Sequence, residues 1–572
     1  MPKRRGNSGT VLANQEGTMT MMTKGKTIAR DRRARISRLR LRAKMAAAAF
    51  ATVFALATGV AQRAQAQTYT VFHSFVASRI DPGGSSPFGG LVVDSAGNLY
   101  GTTSYGGVYG YGTVFKLDTS GNETVLHSFT NSDGDGAFPF SGLVMDAARN
   151  LYGTTYGGGS SSFGTVFKLD SLANETVLHS FTGRPDDGAF PLAGLLMDAA
   201  GDLYGTTQDG GAYGEGTVFK LDTSGDEVVL HSFSRPYTDG PGADGAYPQA
   251  GLVMDAAGNL YGTASGAGAF GWGTVFKLDT SGNLTVLHTF TNSGGDGADP
   301  IGGLVMDVAG NLYGTTFGGG SSTFGTVFKL DSSGNETVLY SFAGPVFGGP
   351  GADGALSQAG LIMDLAGNLY GTTGAGGPYG YGTVFKLDPS GKETVLHSFT
   401  GSGGDGLSPS VPLVMDTAGS LFGTTTQGGA YGNFGYGYGG TVFKLTLSEP
   451  FAAFAAKLHI TPPGFVFDGA FTLGAGAAAI NPATQGMTLN VGTYSLVIPA
   501  GAFVARPNGA FAFEGAINGA RLEIRIAPTG AEAYRIHVMA SGVNLTALTN
   551  PVPVTLTIGN NAGTTAVTAA IR

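Results

Sequence analysis

Gly112-Thr113-Val114-Phe115-Lys116-Leu117-Asp118 returns at 164–170, 216–222, 273–279, 325–331 and 382–388, and once more as Gly440-Thr441-Val442-Phe443-Lys444-Leu445-Thr446. The seven copies start 52, 52, 57, 52, 57 and 58 residues apart. A period of that length marks a chain built from one supersecondary unit copied in tandem. Outward from the first copy, the unit holds four short apolar runs: Gly90–Asp94, Asn98–Thr103, Thr113–Asp118 and Thr124–Phe129. Each is rich in Val, Leu, Phe, Tyr and Thr and bounded by Gly, Asn, Asp or Ser, the signature of a strand. Asp94-Ser95-Ala96-Gly97-Asn98 and Asp118-Thr119-Ser120-Gly121-Asn122 predict tight turns, Gly supplying positive φ and Asp capping the turn. A Gly/Tyr-rich loop, Ser104–Gly112, joins the second and third runs, and a loop carrying Asp135-Gly136 leads to the next unit.

Four antiparallel strands per unit read as one blade of a β-propeller. The ends of the array decide closure. Val71–Phe75 repeats the fourth run, whereas the chain leaves the repeat on the third, Thr441–Thr446. Pairing the two completes the last blade and removes two exposed sheet edges. The sequence therefore predicts an all-β chain: a seven-bladed β-propeller over 67–446, closed by its N-terminal strand, a linker or short helix at 447–457, and a β-sandwich-like domain at 458–572. In that last segment Leu522, Ile524 and Ile526 alternate with Arg521, Glu523 and Arg525, a period of two.

The NLYGTT, GTVFKLD and VLHSF runs over 69–446 resemble the choice-of-anchor, or GloVer-type, tandem-repeat family of exported bacterial proteins. They are also similar to propeller repeats of the NHL type. The resemblance implies an exported scaffold, and the second likeness a binding role; neither supplies catalytic residues.

Export is also written in the N-terminus. A basic stretch, Arg30–Lys44, precedes the apolar Met45–Val60 and the small-x-small site Ala64-Gln65-Ala66. That order predicts a signal peptide over 1–66, cleaved near Ala66-Gln67, with no membrane span left behind. Residues 1–66 hold 14 Lys and Arg against two acids, so the remainder carries a formal charge of −20. Such a chain repels phosphate backbones, which excludes nucleic acid as a partner. With no cysteine in the sequence, disulfides, thiolate nucleophiles and thiolate metal sites are excluded.

Six histidines, His73, His127, His179, His231, His288 and His397, share one place in the fourth run, with Tyr340 at that place in the remaining copy. Equivalent positions on outer strands of successive blades lie on the order of 20 Å apart, so no two of them reach a single metal. They read as packing residues, as do the repeated lysines from Lys116 to Lys444. Asn131, Asp133 and Asp135, with Gly136, match the opening of a calcium loop, but Gly142 stands where the acidic twelfth ligand belongs. Calcium is thus the sole cofactor candidate, and a turn capped by Asp is the plainer reading. No GxSxG, HExxH or phosphate-loop motif lies in a supporting context.

The loops preceding the third strand carry the functional signal. In a propeller they emerge on the same face as the blade-to-blade loops, and here they hold Tyr105, Tyr109, Tyr111, Tyr156, Tyr213, Phe270, Trp272, Phe317, Tyr379, Tyr431 and Phe434. Aromatic rings beside carboxylates suit sugars, whose C–H faces stack while their hydroxyls need acceptors. The expectation is a binding scaffold for an extracellular glycan or a surface protein. The alternatives are a polysaccharide lyase or hydrolase acting at the channel mouth, and a purely structural envelope protein.

Overall fold

The computed structural model describes residues 68–571 apart from short segments, the longest being 235–243, 345–352, 432–438, 474–479 and 544–551. The basic and apolar N-terminus and the expected cleavage site lie outside the described residues. In the first unit the four runs form strands Val92–Val93, Leu99–Thr103, Thr113–Leu117 and Glu123–Ser128, hydrogen-bonded side by side in that order as an antiparallel sheet. Seven such four-stranded sheets are present among the described residues. The second strand is buried, the third nearly so, and the fourth half-buried. The capped turns form as the spacing predicts: Asp94 Oδ1 accepts from the backbone N–H groups of Ala96 and Asn98.

One sheet draws on both ends of the repeat. Thr68–Ser74 pairs antiparallel with Thr441–Thr446 from Thr68↔Thr446 to Ser74↔Thr441, with a shift of register between Val71 and His73. Contacts between successive sheets explain the repeated residues. Gly101 sits where a Cβ would lie 2.8 Å from the Phe115 ring, so glycine here leaves room for a phenylalanine on the adjacent strand. That Phe115 ring packs edge-on against Phe75 of the sheet before it, centroids 5.1 Å apart. Phe129–Phe167, Phe181–Phe219, Phe233–Phe276, Phe290–Phe328, Phe342–Phe385 and Phe399–Phe443 repeat the pair at 5.1–5.3 Å. The apolar clusters straddle the same boundaries, and one joins Phe422 and Val442 of the last unit to Leu99 and Phe115 of the first. A threonine hydrogen bond follows suit: Thr102 Oγ1 donates to Ser141 O at 2.8 Å, and Thr424 Oγ1 returns to Pro87 O at 3.1 Å. Just before the first strands of two successive sheets, a Cβ on Gly142 would stand 3.0 Å from Gly90 O, so the backbones approach closely there.

The repeated lysines pack as their strand position requires. Lys116 Nζ lies 5.7 Å from the centre of the Tyr100 ring, and Lys444 covers Phe422 at 5.0 Å.

Beyond the repeat, a five-stranded and a seven-stranded sheet follow. Leu522, Ile524 and Ile526 are buried and Arg521 and Arg525 exposed, as the alternation requires. Phe465, Ile524 and Val538 from one sheet share a hydrophobic cluster with Leu489, Val554 and Leu556 from the other. The stretch 447–457, expected to be a linker or short helix, instead contains Glu449–Pro450 and opens the strand Ala453–Thr461. Phe454, Ala456, Leu458 and Ile460 alternate towards the core there. Alanines on both faces hide that period in the sequence.

Candidate functional site

The loop before the third strand and the loop that links one sheet to the next run together. Gly136-Ala137 pairs with Gly157-Gly158, Gly188-Ala189 with Asp209-Gly210, and Ser85 bridges Tyr105. The structure divides the aromatic residues of these loops in two. Tyr109, Tyr213, Phe270, Tyr379 and Tyr431 are 57%, 67%, 58%, 58% and 61% exposed, and Trp272 is 39% exposed. The first four stand four residues before the strand threonine of their units, and Tyr431 follows the same Gly-Gly-Ala lead as Tyr213. The second and fifth units carry Ser161 and Ser322 in that slot.

Tyr105, Tyr111, Tyr156 and Phe317 are partly buried instead. Tyr105 and Tyr111 pack edge-on to Phe138, at 5.7 and 5.5 Å, and Arg79 covers the Tyr105 ring. Tyr156 stacks on Phe190 at 4.9 Å. Tyr105, expected to reach outward with Tyr109, is therefore a packing residue held by Phe138 and Arg79. Phe434 lies outside the described residues.

The calcium candidates separate as well. Asn131 and Asp133 are exposed with left-handed φ of 53° and 55°, while Asp135 turns inward. Asp135 Oδ2 accepts from Thr130 N and Thr130 Oγ1, at 2.7 and 2.9 Å, and Oδ1 accepts from Gly136 N at 2.6 Å. The same Oδ1 lies 3.5 Å from His127 Nε2. Burial raises the Asp135 carboxyl, but the nearby His127 and the hydrogen bonds from Thr130 outweigh that and hold it below its ordinary value.

That His–Asp contact recurs at His179–Asp187, His231–Asp244, His288–Asp296 and His397–Asp405, at 3.2, 2.8, 3.5 and 3.4 Å. A constant spacing of eight residues in four of the five pairs was present in the sequence and could have marked it. A glutamate opening the fourth strand of the next sheet completes three of these groups, Glu175, Glu227 and Glu336; of the equivalent residues, Glu123 lies 3.5 Å from His73 and Glu393 faces Asp353. Each has a buried Oε1 with no hydrogen-bond partner. Burial, then the charge of the facing aspartate, pushes Glu227 up to about 7 and Glu393 up to about 8. At the boundary of the last two sheets Tyr69 takes the glutamate's place, stacking on His397 at 3.6 Å and donating to Asp405 Oδ1 at 2.7 Å. In the C-terminal segment His537 meets Asp468 across the strand pair at 2.6 Å.

A pH dependence follows from Glu393, which faces Asp353. Its folded carboxyl holds a proton that the unfolded one releases near 4.5, so this contribution to stability is fully present below 4.5 and is lost as pH rises through 8. The thermal midpoint is expected to fall between pH 5 and 8.5. Glu393→Gln is expected to leave it unchanged at pH 5 and to stabilise by about 1–2 kcal/mol at pH 8.5, after discounting for partial exposure. Thermal melts of both proteins at the two pH values check this; equal melting of both at pH 8.5 would contradict it.

The fold and these loops define a tandem-repeat all-β protein built from small antiparallel sheets. The family model of the Gloeobacter/Verrucomicrobia repeat matches residues 51–243 and 235–362, more than half of the chain, and the protein belongs to that family. A search of curated proteins finds no match. Among solved structures, the chain is similar to a putative oxidoreductase (glucose dehydrogenase) of Thermus thermophilus, with 15% identity over 66% of this chain and 99% of that one, TM-score 0.30. It is also similar to a Trypanosoma rangeli sialidase in complex with sialic acid, with 10% identity over 87% and 96%, TM-score 0.33. A third likeness is to an ulvan lyase bound to its saccharide, with 9% identity over 82% and 95%, TM-score 0.30. These scores are too low to carry an argument about this chain. Among the described residues no helix is long and apolar enough to cross a membrane.

Proposed function

We propose that residues 67–446 form a seven-bladed β-propeller closed by its N-terminal strand, that 458–572 form a β-sandwich domain, and that the protein is exported with cleavage near Ala66-Gln67. In this reading the propeller binds an extracellular glycan through its loop face. One observation carries the binding role: the same loop holds an outward aromatic in five units, each more than half exposed. Large exposed aromatic side chains gain nothing from the core, whereas their flat apolar faces suit the C–H faces of sugar rings. The acidic background supplies hydroxyl acceptors and disfavours polyanions.

A glycan array with the mature chain, beside a variant in which Tyr109, Tyr213, Phe270, Tyr379 and Tyr431 are all alanine, tests the assignment. Binding by the parent alone supports it; equal binding by both removes the loop face as the binding surface. Retention of a surface protein, with no glycan bound, would turn the reading to its alternative partner.

One feature favours the second reading, an enzyme acting on polysaccharide. In the third unit Glu215 replaces the inner aromatic, and its charge, after burial, raises the Asp209 carboxyl. Two neighbouring acids, one of them raised, are groups that acid–base cleavage can use. Release of new sugar ends by the parent, lost in Glu215→Gln, would establish it.

A further inference from the structure

We infer that the boundaries between successive repeat sheets hold divalent transition-metal sites, built from His179, Asp187 and Glu227 at one boundary and from His288, Asp296 and Glu336 at another. In each group the donor atoms all lie within 4.8 Å of one another. The histidine and aspartate come from one unit, and the glutamate from the outer strand of the next sheet. One imidazole and two carboxylates form a mixed N/O set that suits zinc and its first-row neighbours. Ligand distances of about 2.0–2.2 Å need the triangle to tighten by roughly 1 Å, within the reach of a glutamate side chain. The groups stay accessible: the His179 and Asp187 side chains are 20% and 11% exposed.

The chain contains its own comparison. Where tyrosine enters the set, its hydroxyl donates directly to the aspartate: Tyr340 to Asp353, and Tyr69 to Asp405. Where the three donor atoms gather within 4.8 Å, as they do at these two boundaries and not at His127, Asp135 and Glu175, two carboxylates meet with no hydrogen bond between them. Glu227 Oε1 and Glu336 Oε1 are fully buried without a hydrogen-bond partner, and so is His288 Nε2. A buried acceptor left unpaired is costly, and a cation bound against the aspartate, whose oxygens already accept from Thr182 and Gly188 in one group and from Thr291 and Gly297 in the other, would satisfy the glutamate. At the boundary between them in sequence, Leu284 replaces the glutamate beside His231 and Asp244, which leaves that set one ligand short. The ion would clamp one sheet to the next, each site contributing two ligands from one unit and one from its neighbour.

The test uses the untagged mature chain, freed of metal by chelation, titrated with zinc chloride and counted for metal after desalting. Two zinc ions per chain are expected, falling to one in Glu227→Leu and to none in the Glu227→Leu/Glu336→Leu double variant. Leucine is the residue this register already holds at position 284. Zinc at a hundredfold excess over Kd is expected to raise the thermal midpoint of the parent by about 5 °C and to leave the double variant unmoved. Circular dichroism checks that each variant folds. If the leucine variants do not, His179→Tyr/His288→Tyr, which copies the arrangement at Tyr340, takes their place with the same expected loss. A parent that retains no zinc, a double variant that still retains two ions, or preferential retention of calcium would each overturn the assignment.

Discussion

A chain that starts at Val76 in place of Gln67 is expected to associate into larger oligomers than the parent. The missing segment supplies the whole outer strand of the last sheet, Thr68–Ser74, which pairs with Thr441–Thr446 along its length. It also supplies Phe75, whose N–H donates to Gly440 O at 3.0 Å and whose ring seals the boundary against Phe115. Tyr69 goes with it, and with Tyr69 the hydrogen bond to Asp405. What remains is an unpaired edge at Thr441–Thr446 and an open apolar boundary, the conditions under which strands join between chains. The milder change Phe75→Ala deletes one fully buried ring and is expected to cost about 3–5 kcal/mol. Size-exclusion chromatography and thermal melting check both. Larger oligomers from the truncated chain and a large drop in melting temperature for Phe75→Ala are expected; a truncated chain that elutes and melts with the parent would show that the ring does not close there.

The second large effect concerns the five outward aromatics. One aromatic contact contributes about 0.5–1.5 kcal/mol beyond the area it buries, so Tyr379→Ala alone is expected to weaken polysaccharide binding about fivefold. A polymer long enough to reach several of these rings converts later contacts into intramolecular ones, and avidity rises by roughly 10²–10⁴. The variant with all five changed to alanine is therefore expected to lose about that factor against the polymer and far less against a disaccharide. Affinity electrophoresis in gels with and without polysaccharide, alongside calorimetry with the disaccharide, separates the two. A polymer held no more tightly than its disaccharide would contradict a repeated, multivalent face.

Much of this arrangement is legible in the chain because repetition copies both the residues and their surroundings. The pairing of the N-terminal strand with Thr441–Thr446 follows from matching Val71–Phe75 to the fourth run, and the capped turns follow from Asp and Gly at fixed offsets. Contacts between units are less legible. A period gives the register within a unit but not which registers meet across a boundary, so the Glu227 that faces His179 and Asp187 could not be found by spacing. The outward and inward aromatics were likewise mixed. Tyr109 and Tyr111 differ by two residues, yet Tyr109 is exposed while Tyr111 rests on Phe138. What separates them is Phe138 in the next unit, a neighbour that only folding brings near. The strand Ala453–Thr461 escaped notice because alanine carries little preference for either face.

Trp272 is the natural reporter for the loop face, since it is the single tryptophan of the chain and stands exposed two residues from Phe270. Its emission, followed while the mature protein is titrated with a panel of neutral and acidic polysaccharides, is predicted to change saturably with at least one neutral polymer. The same titration of the five-alanine variant, which keeps Trp272, is predicted to show no such change. Polysaccharide binding that leaves Trp272 emission unaltered, and that persists undiminished in the variant, would contradict the assignment of the loop face as the binding surface.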